Sequence, residues 1–175
     1  MNKKIMNMNT IAKLSLFLMM LMAATVMQAQ DKVSPPASVK AKVNGVDIKI
    51  SYHQPAKKGR VIWGGIVKYG RIWRTGANEA TVFDISADVK IDGQLLRAGK
   101  YALFTIPGKN EWTIIFNREY DQFGAFEYNA EKDALRVTAK PAYGNTPVES
   151  FTIDIDSNGR IILMWDDVKV GFKVT

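Results

Sequence analysis

Short runs of alternating apolar and polar residues, each cut off by a turn signal, set the strongest limit on what this chain can fold into. Asn44-Gly45 stands between two such runs, residues 39–43 and 46–52, and an Asn-Gly pair in that setting predicts a tight hairpin. Val46, Ile48 and Ile50 alternate with Asp47, Lys49 and Ser51, so one face of that strand is buried and the other is wet. Residues 81–86 alternate in the same way, with Phe83 and Ile85 directed inward. Asp92-Gly93 marks another turn, and Pro107-Gly108-Lys109-Asn110 a longer one between residues 101–106 and 112–117. Residues 135–139, 151–155, 161–165 and 168–174 complete a set of short strands, and residues 127–134 leave room for a single helical turn. Roughly ten strands with evenly spaced turns and no long helix predict an all-β chain: one antiparallel β-sandwich domain, jelly-roll-like or barrel-like.

The start of the chain reads as an address rather than as part of that domain. Lys3, Lys4 and Lys13 are the only charges before Gln30, and residues 14–26 (LSLFLMMLMAATV) are nearly all apolar. A positive start, a short apolar run and small residues at the cut predict a secretory signal over residues 1–29. The run is short for a membrane span, which needs about 20 apolar residues. Cleavage near Ala29 leaves a flexible stretch at 30–35 and a β domain at 36–175, with no membrane anchor on the mature chain. The expected location is periplasmic or secreted.

The sequence has no cysteine. Disulfides, lipoprotein anchoring, thiol catalysis, cysteine–zinc sites and iron–sulfur clusters are therefore excluded. With one histidine as well, no metal site is expected, and no cofactor. The formal charge of +7 falls to +4 once the leader and its lysines are gone. Between Lys57 and Glu79 stand Lys57, Lys58, Arg60, Lys68, Arg71 and Arg74 against Glu79 alone. All of the positive excess of the mature chain lies there, which points to an anionic or polar partner near that segment. No basic-aromatic repeat accompanies it, so nucleic acid is not an expected partner.

The densest group of hydrogen-bonding side chains falls in the same region, at Arg71–Thr81 (RIWRTGANEAT). Arginine offers a planar fork of donors that suits carboxylates and phosphates. Asparagine both donates and accepts, and glutamate accepts. Trp73 adds a flat apolar face. Arg60, Trp73, Arg74, Thr75, Asn78 and Glu79 are the expected ligand-binding residues, for a small polar ligand such as a sugar or an acid. His53 and Arg71 are secondary candidates. The same chemistry also suits an internal clamp, with Arg74 paired to Glu79, Asn78 and Thr75 holding a turn, and Trp73 in the core. A hydrolase with Glu79 as its acid–base group is a third reading. Asp154-Ile155-Asp156-Ser157-Asn158-Gly159 has the opening of a calcium loop, but its twelfth position is Trp165 instead of the closing glutamate. A hairpin turn is expected there.

Several of these segments together resemble a known family. Gly59-Arg60, the block Trp73-Arg74-Thr75-Gly76-Ala77-Asn78-Glu79-Ala80-Thr81, Ala98-Gly99-Lys100-Tyr101 with residues 104–107, and Trp112 with Ile115-Phe116-Asn117 are similar to domain of unknown function 2911. The likeness runs from about Ser34 to Val174. It implies an exported bacterial protein with no established activity, and it implies that Arg74, Thr75, Asn78 and Glu79 form a shared feature. The chain departs from the family pattern at His53-Gln54, where a serine and an arginine often precede the proline.

Overall fold

A computed structural model describes residues 34–175; the expected signal over 1–29 and residues 30–33 lie outside the described residues. The chain is all-β. In order, its strands are β1 (Pro36–Val43), β2 (Val46–His53), β3 (Thr81–Ile85), β4 (Val89–Ile91), β5 (Gln94–Leu96), β6 (Gly99–Ile106), β7 (Trp112–Asn117), β8 (Asp133–Ala139), β9 (Ala142–Ile155) and β10 (Arg160–Lys173). One turn of 3-10 helix, Ala130–Lys132, precedes β8, with the Asn129 side chain capping it. Asn44 and Gly45 take φ of 50° and 84°, the left-handed pair that a type I′ hairpin requires. Asp92 and Gly93 repeat it at 46° and 86°.

Six strands form the larger sheet in the order β1-β2-β3-β6-β7-β8, every neighbouring pair antiparallel. The β9–β10 hairpin supplies a second layer. It is widened at one side by β4, through the Ile91–Val174 bridge, and at the other by Ala56, which bridges Ser150. β1 and β8 remain unjoined edges of the larger sheet, so the architecture is a sandwich and not a closed barrel. The hydroxyl of Tyr52 on β2 accepts from the Ile153 N–H on β9 at 3.1 Å, tying one layer to the other.

The alternation of the sequence sets which face is which. Ile48, Ile50, Phe83, Ile85, Leu103, Ile114 and Phe116 point between the layers and meet Phe151, Ile153, Leu163, Val170 and Phe172. At one end of this core Trp63, Trp73, Trp112 and Trp165, the only tryptophans of the chain, pack against one another with ring centroids 5.0 to 6.3 Å apart. The opposite face of the larger sheet is divided. Toward β7 it carries Ala102, Phe104 and Ile115, covered by Ala125 and Tyr128. Toward β1 it carries Lys49, Ser51, Val82, Asp84 and Lys100 and stays open.

The expected break between residues 161–165 and 168–174 is not a chain break. β10 runs through it, with a register shift and a φ of 52° at Asp166. A bulge of this kind interrupts alternation without ending the strand. The calcium-like segment forms the β9–β10 turn, as expected: the Asp156 carboxylate accepts from the N–H groups of Asn158 and Arg160. Gly159 is tightly confined there, with φ of 79°, and an added Cβ would stand 2.5 Å from the Val174 carbonyl. Gly159→Ala therefore meets both backbone strain and a clash, and urea unfolding is expected to show a loss of about 3 kcal/mol.

Candidate functional site

The WRTGANEAT block is an excursion from the larger sheet. Thr81 pairs with Leu103, and Trp73 pairs with Thr105. Those partners lie two residues apart on β6, whereas Trp73 and Thr81 are eight apart. Six extra residues are thus looped out of one register gap, and the strand resumes on the far side. Extra residues inserted between paired positions must leave the ladder and bend the chain.

The inner half of this bulge is sealed. Trp73 is 9% exposed, stacks on Trp165 at 5.9 Å, and donates its indole N–H to the Gly76 carbonyl at 3.1 Å. The Thr81 hydroxyl donates to the Thr75 carbonyl at 2.6 Å, closing the neck. The Thr75 hydroxyl lies 3.1 Å from that of Thr105 and 3.4 Å from the Trp73 carbonyl. Thr75 holds φ of 54°, a conformation that a β-branched residue enters at a cost of about 1–2 kcal/mol. Gly76 has no room for a side chain: an added Cβ would stand 3.0 Å from the Thr81 hydroxyl and 3.1 Å from the His53 carbonyl.

The outer half faces the open part of the sheet. Asn78 and Glu79 sit half-buried at the tip, Asn78 with φ of 57°. The Asn78 amide donates to the Ser34 carbonyl at 3.3 Å. Nδ1 of His53 lies 3.3 Å from Oε2 of Glu79. Glu79 borders two hollows that also share Ser51, Ala80 and Val82. One, of about 240 Å³, continues over Lys49, Asp84 and Lys100 to Tyr120, Asp121 and Gln122. The other, of about 180 Å³, runs past His53 to Pro36 and Ala37. Together they make a shallow trough with three carboxylates, two ammonium groups, a hydroxyl, an amide and a phenol ring along it. Lys100 Nζ stands over the Tyr120 ring at 5.9 Å.

One wall of the trough comes from residues 118–128, a segment without regular structure. Two main-chain bonds attach it to the bulge: the Ala80 N–H donates to the Gln122 carbonyl and the Gly124 N–H to the Asn78 carbonyl, both at 3.0 Å. Its far end is anchored by Tyr128, whose ring meets Phe104 at 5.1 Å. The Tyr128 hydroxyl donates to Asp133 at 2.8 Å and accepts from Arg136 at 2.7 Å. Burial, then the Asp133 carboxylate, push the Tyr128 phenol up to about 12.

Arg74 leaves the bulge on the outer side. Among the described residues its side chain makes no hydrogen bond or ion pair, and its Nε is buried without a partner. Burial draws its pKa below the ordinary arginine value. The anticipated Arg74–Glu79 pair is not made; His53 is an ionic neighbour of Glu79.

The structure thus divides the expected site residues. His53, Asn78 and Glu79 come together, with Arg74 nearby. Trp73 and Thr75 lie inside, their surfaces covered by protein, and belong to the clamp. Arg60 sits elsewhere, folded onto the Lys57 and Ala56 carbonyls, and Arg71 is exposed. Lys57 pairs with Asp166. The trough residues Lys49, Ser51, Asp84, Lys100 and Tyr120 were not singled out from sequence. The signal for the strand residues was present: they are the polar partners in strands whose alternation was read only for its buried face.

These features define an all-β sandwich carrying a bulged, half-sealed polar loop on one face of its larger sheet. The chain belongs to the family described as protein of unknown function (DUF2911), whose model matches residues 34–174. No curated protein and no solved structure matches it.

Two outcomes follow for the bulge and its wall. Thr75→Ala strips a buried hydroxyl from Thr105 and is expected to lower stability by about 1–3 kcal/mol in urea unfolding. For Tyr128, a proton held to about 12 in the folded state leaves the unfolded chain near 10. Its contribution is full below about pH 10 and is lost as pH rises toward 12. Unfolding midpoints measured across that window should fall less steeply in Tyr128→Phe than in the native protein.

Proposed function

We propose that this protein is a binding module for a small polyhydroxylated ligand, a sugar ring, seated in the trough beside Glu79. What carries the reading is the trough's lining: carboxylates and ammonium groups alternate around Ser51 with one aromatic ring at the side, and no single sign of charge dominates. Hydroxyl groups both donate and accept, so a sugar can satisfy Glu79, Asp84 and Asp121 with its O–H groups and Lys49 and Lys100 with its oxygens. Tyr120 offers an apolar face at the edge. The strained Thr75 backbone in the same loop favours the same reading, because strain of this kind collects at ligand sites. The clamp formed by the inner half of the bulge then serves to hold Glu79 in place. The leader-like first 29 residues favour an encounter with the ligand outside the cytoplasm.

A second reading, hydrolysis with Glu79 as acid–base group, is favoured only by the His53–Glu79 contact. Release of reducing sugar from a bound oligosaccharide would distinguish it from simple binding.

The test is a panel of neutral and N-acetylated mono- and disaccharides, read by thermal shift and by NMR titration. A ligand at about a hundred times its Kd stabilises the folded state by roughly 2.7 kcal/mol. Ser51→Phe fills the trough from an outward strand position and should abolish the shift while leaving the fold intact. Absence of any saccharide-dependent shift, or its persistence in Ser51→Phe, would overturn the proposal.

A further inference from the structure

The second observation at this site is a cation without an anion. Arg74 lies half-buried on the outer face, and a guanidinium in that setting is expected to have a carboxylate or phosphate partner. Among the described residues it has none, and its buried Nε has no acceptor. Nη1 of Arg74 lies 3.1 Å from the position a Cβ would take on Gly124, and the Phe126 ring comes within 3.1 Å of that same position. A side chain at 124 would displace both. The guanidinium and the ring therefore border one spot, above the only residue type that leaves it clear. Phe126 is 85% exposed and Phe123 61%, high for large apolar side chains.

The path from the trough to that spot is set by the short ladder between the bulge and residues 122–124. Gln122 lines the trough, Gly124 underlies Arg74, and Phe123 faces solvent between them. Two residues of extended chain span about 7 Å, a distance that the next ring of an oligosaccharide covers.

Resting on the sugar-binding reading above, we propose that the ligand is an acidic oligosaccharide. One ring occupies the trough, and a carboxylate on the adjoining unit pairs with Arg74, with Phe126 giving that unit an apolar floor. Arginine is suited to this role over lysine because two parallel N–H groups can meet both carboxylate oxygens.

The experiment uses probes that differ only at the carboxyl group, charged in one and methylated and neutral in the other. Trisaccharides of galacturonic and glucuronic acid are compared with their methyl esters by calorimetry, at low salt, on the native protein and on Arg74→Met, Arg74→Lys and Glu79→Gln. The native protein should prefer at least one acid over its ester by about tenfold or more. Arg74→Met should bring that ratio to about one while the melting temperature stays equal or rises, as befits loss of an uncompensated half-buried charge. Arg74→Lys should keep a reduced preference. Glu79→Gln should weaken acid and ester alike. Equal binding of acid and ester by the native protein, or a preference that survives Arg74→Met, overturns this proposal and leaves the trough reading standing. Failure of every acid and ester to bind also overturns this proposal, while the trough reading is decided by the neutral and N-acetylated panel. A polyglutamate peptide that binds as tightly as the acids shows Arg74 to be a general carboxylate site and also overturns it.

Discussion

Four indole rings meet where the larger sheet, the β9–β10 layer and the loop before β3 converge, and much of the structure hangs from that meeting. Trp112 comes from β7, Trp165 from the bulge of β10, Trp63 from the glycine-rich loop, and Trp73 from the last paired residue before the WRTGANEAT excursion. A buried aromatic carries a large apolar area and adds about 0.5–1.5 kcal/mol for each favourable ring pair. Because Trp73 is held by its neighbouring rings and by its pairing with Thr105, the chain leaves the sheet at Arg74 and returns at Thr81. The position of the outer site is thereby fixed from inside the core.

That arrangement resolves the competing readings of the polar block into two halves. Trp73, Thr75, Gly76 and Thr81 satisfy one another and the neighbouring strands, as an internal clamp would. Asn78 and Glu79 stand on the other side of the same loop, over an open polar face, and Arg74 beside them lacks an anion. Sequence reasoning weighed clamp against site as exclusive alternatives. A looped-out strand segment has an inside and an outside, and six inserted residues are enough to serve both.

Most of the sandwich was legible because its hairpins are encoded locally. Asn44-Gly45 and Asp92-Gly93 announce their turns, and alternation in β2 and β3 identifies the buried face. What escaped was whatever depends on distant pairing. The first half of β9, residues 142–148, is exposed and held by main-chain bonds to β10, so it shows no apolar pattern. The bulge at Asp166 hid the continuity of β10. Arg60 looked like a ligand group because it lies near Arg74 in sequence, yet its guanidinium closes its own loop. Residues 118–128 became a wall of the trough through two main-chain bonds to Asn78 and Ala80, and no local property of that segment foretells them.

The way β6 pairs has an evolutionary consequence. Its two ends hold separate partner segments, residues 70–73 and 81–85, and each register is set without reference to the other. The neck between them is shut by Thr81. A descendant of this protein can therefore gain or lose residues at the tip while both flanking strands keep their places, so ligand preference is free to drift by insertion where a plain hairpin would have to reshuffle its whole sheet.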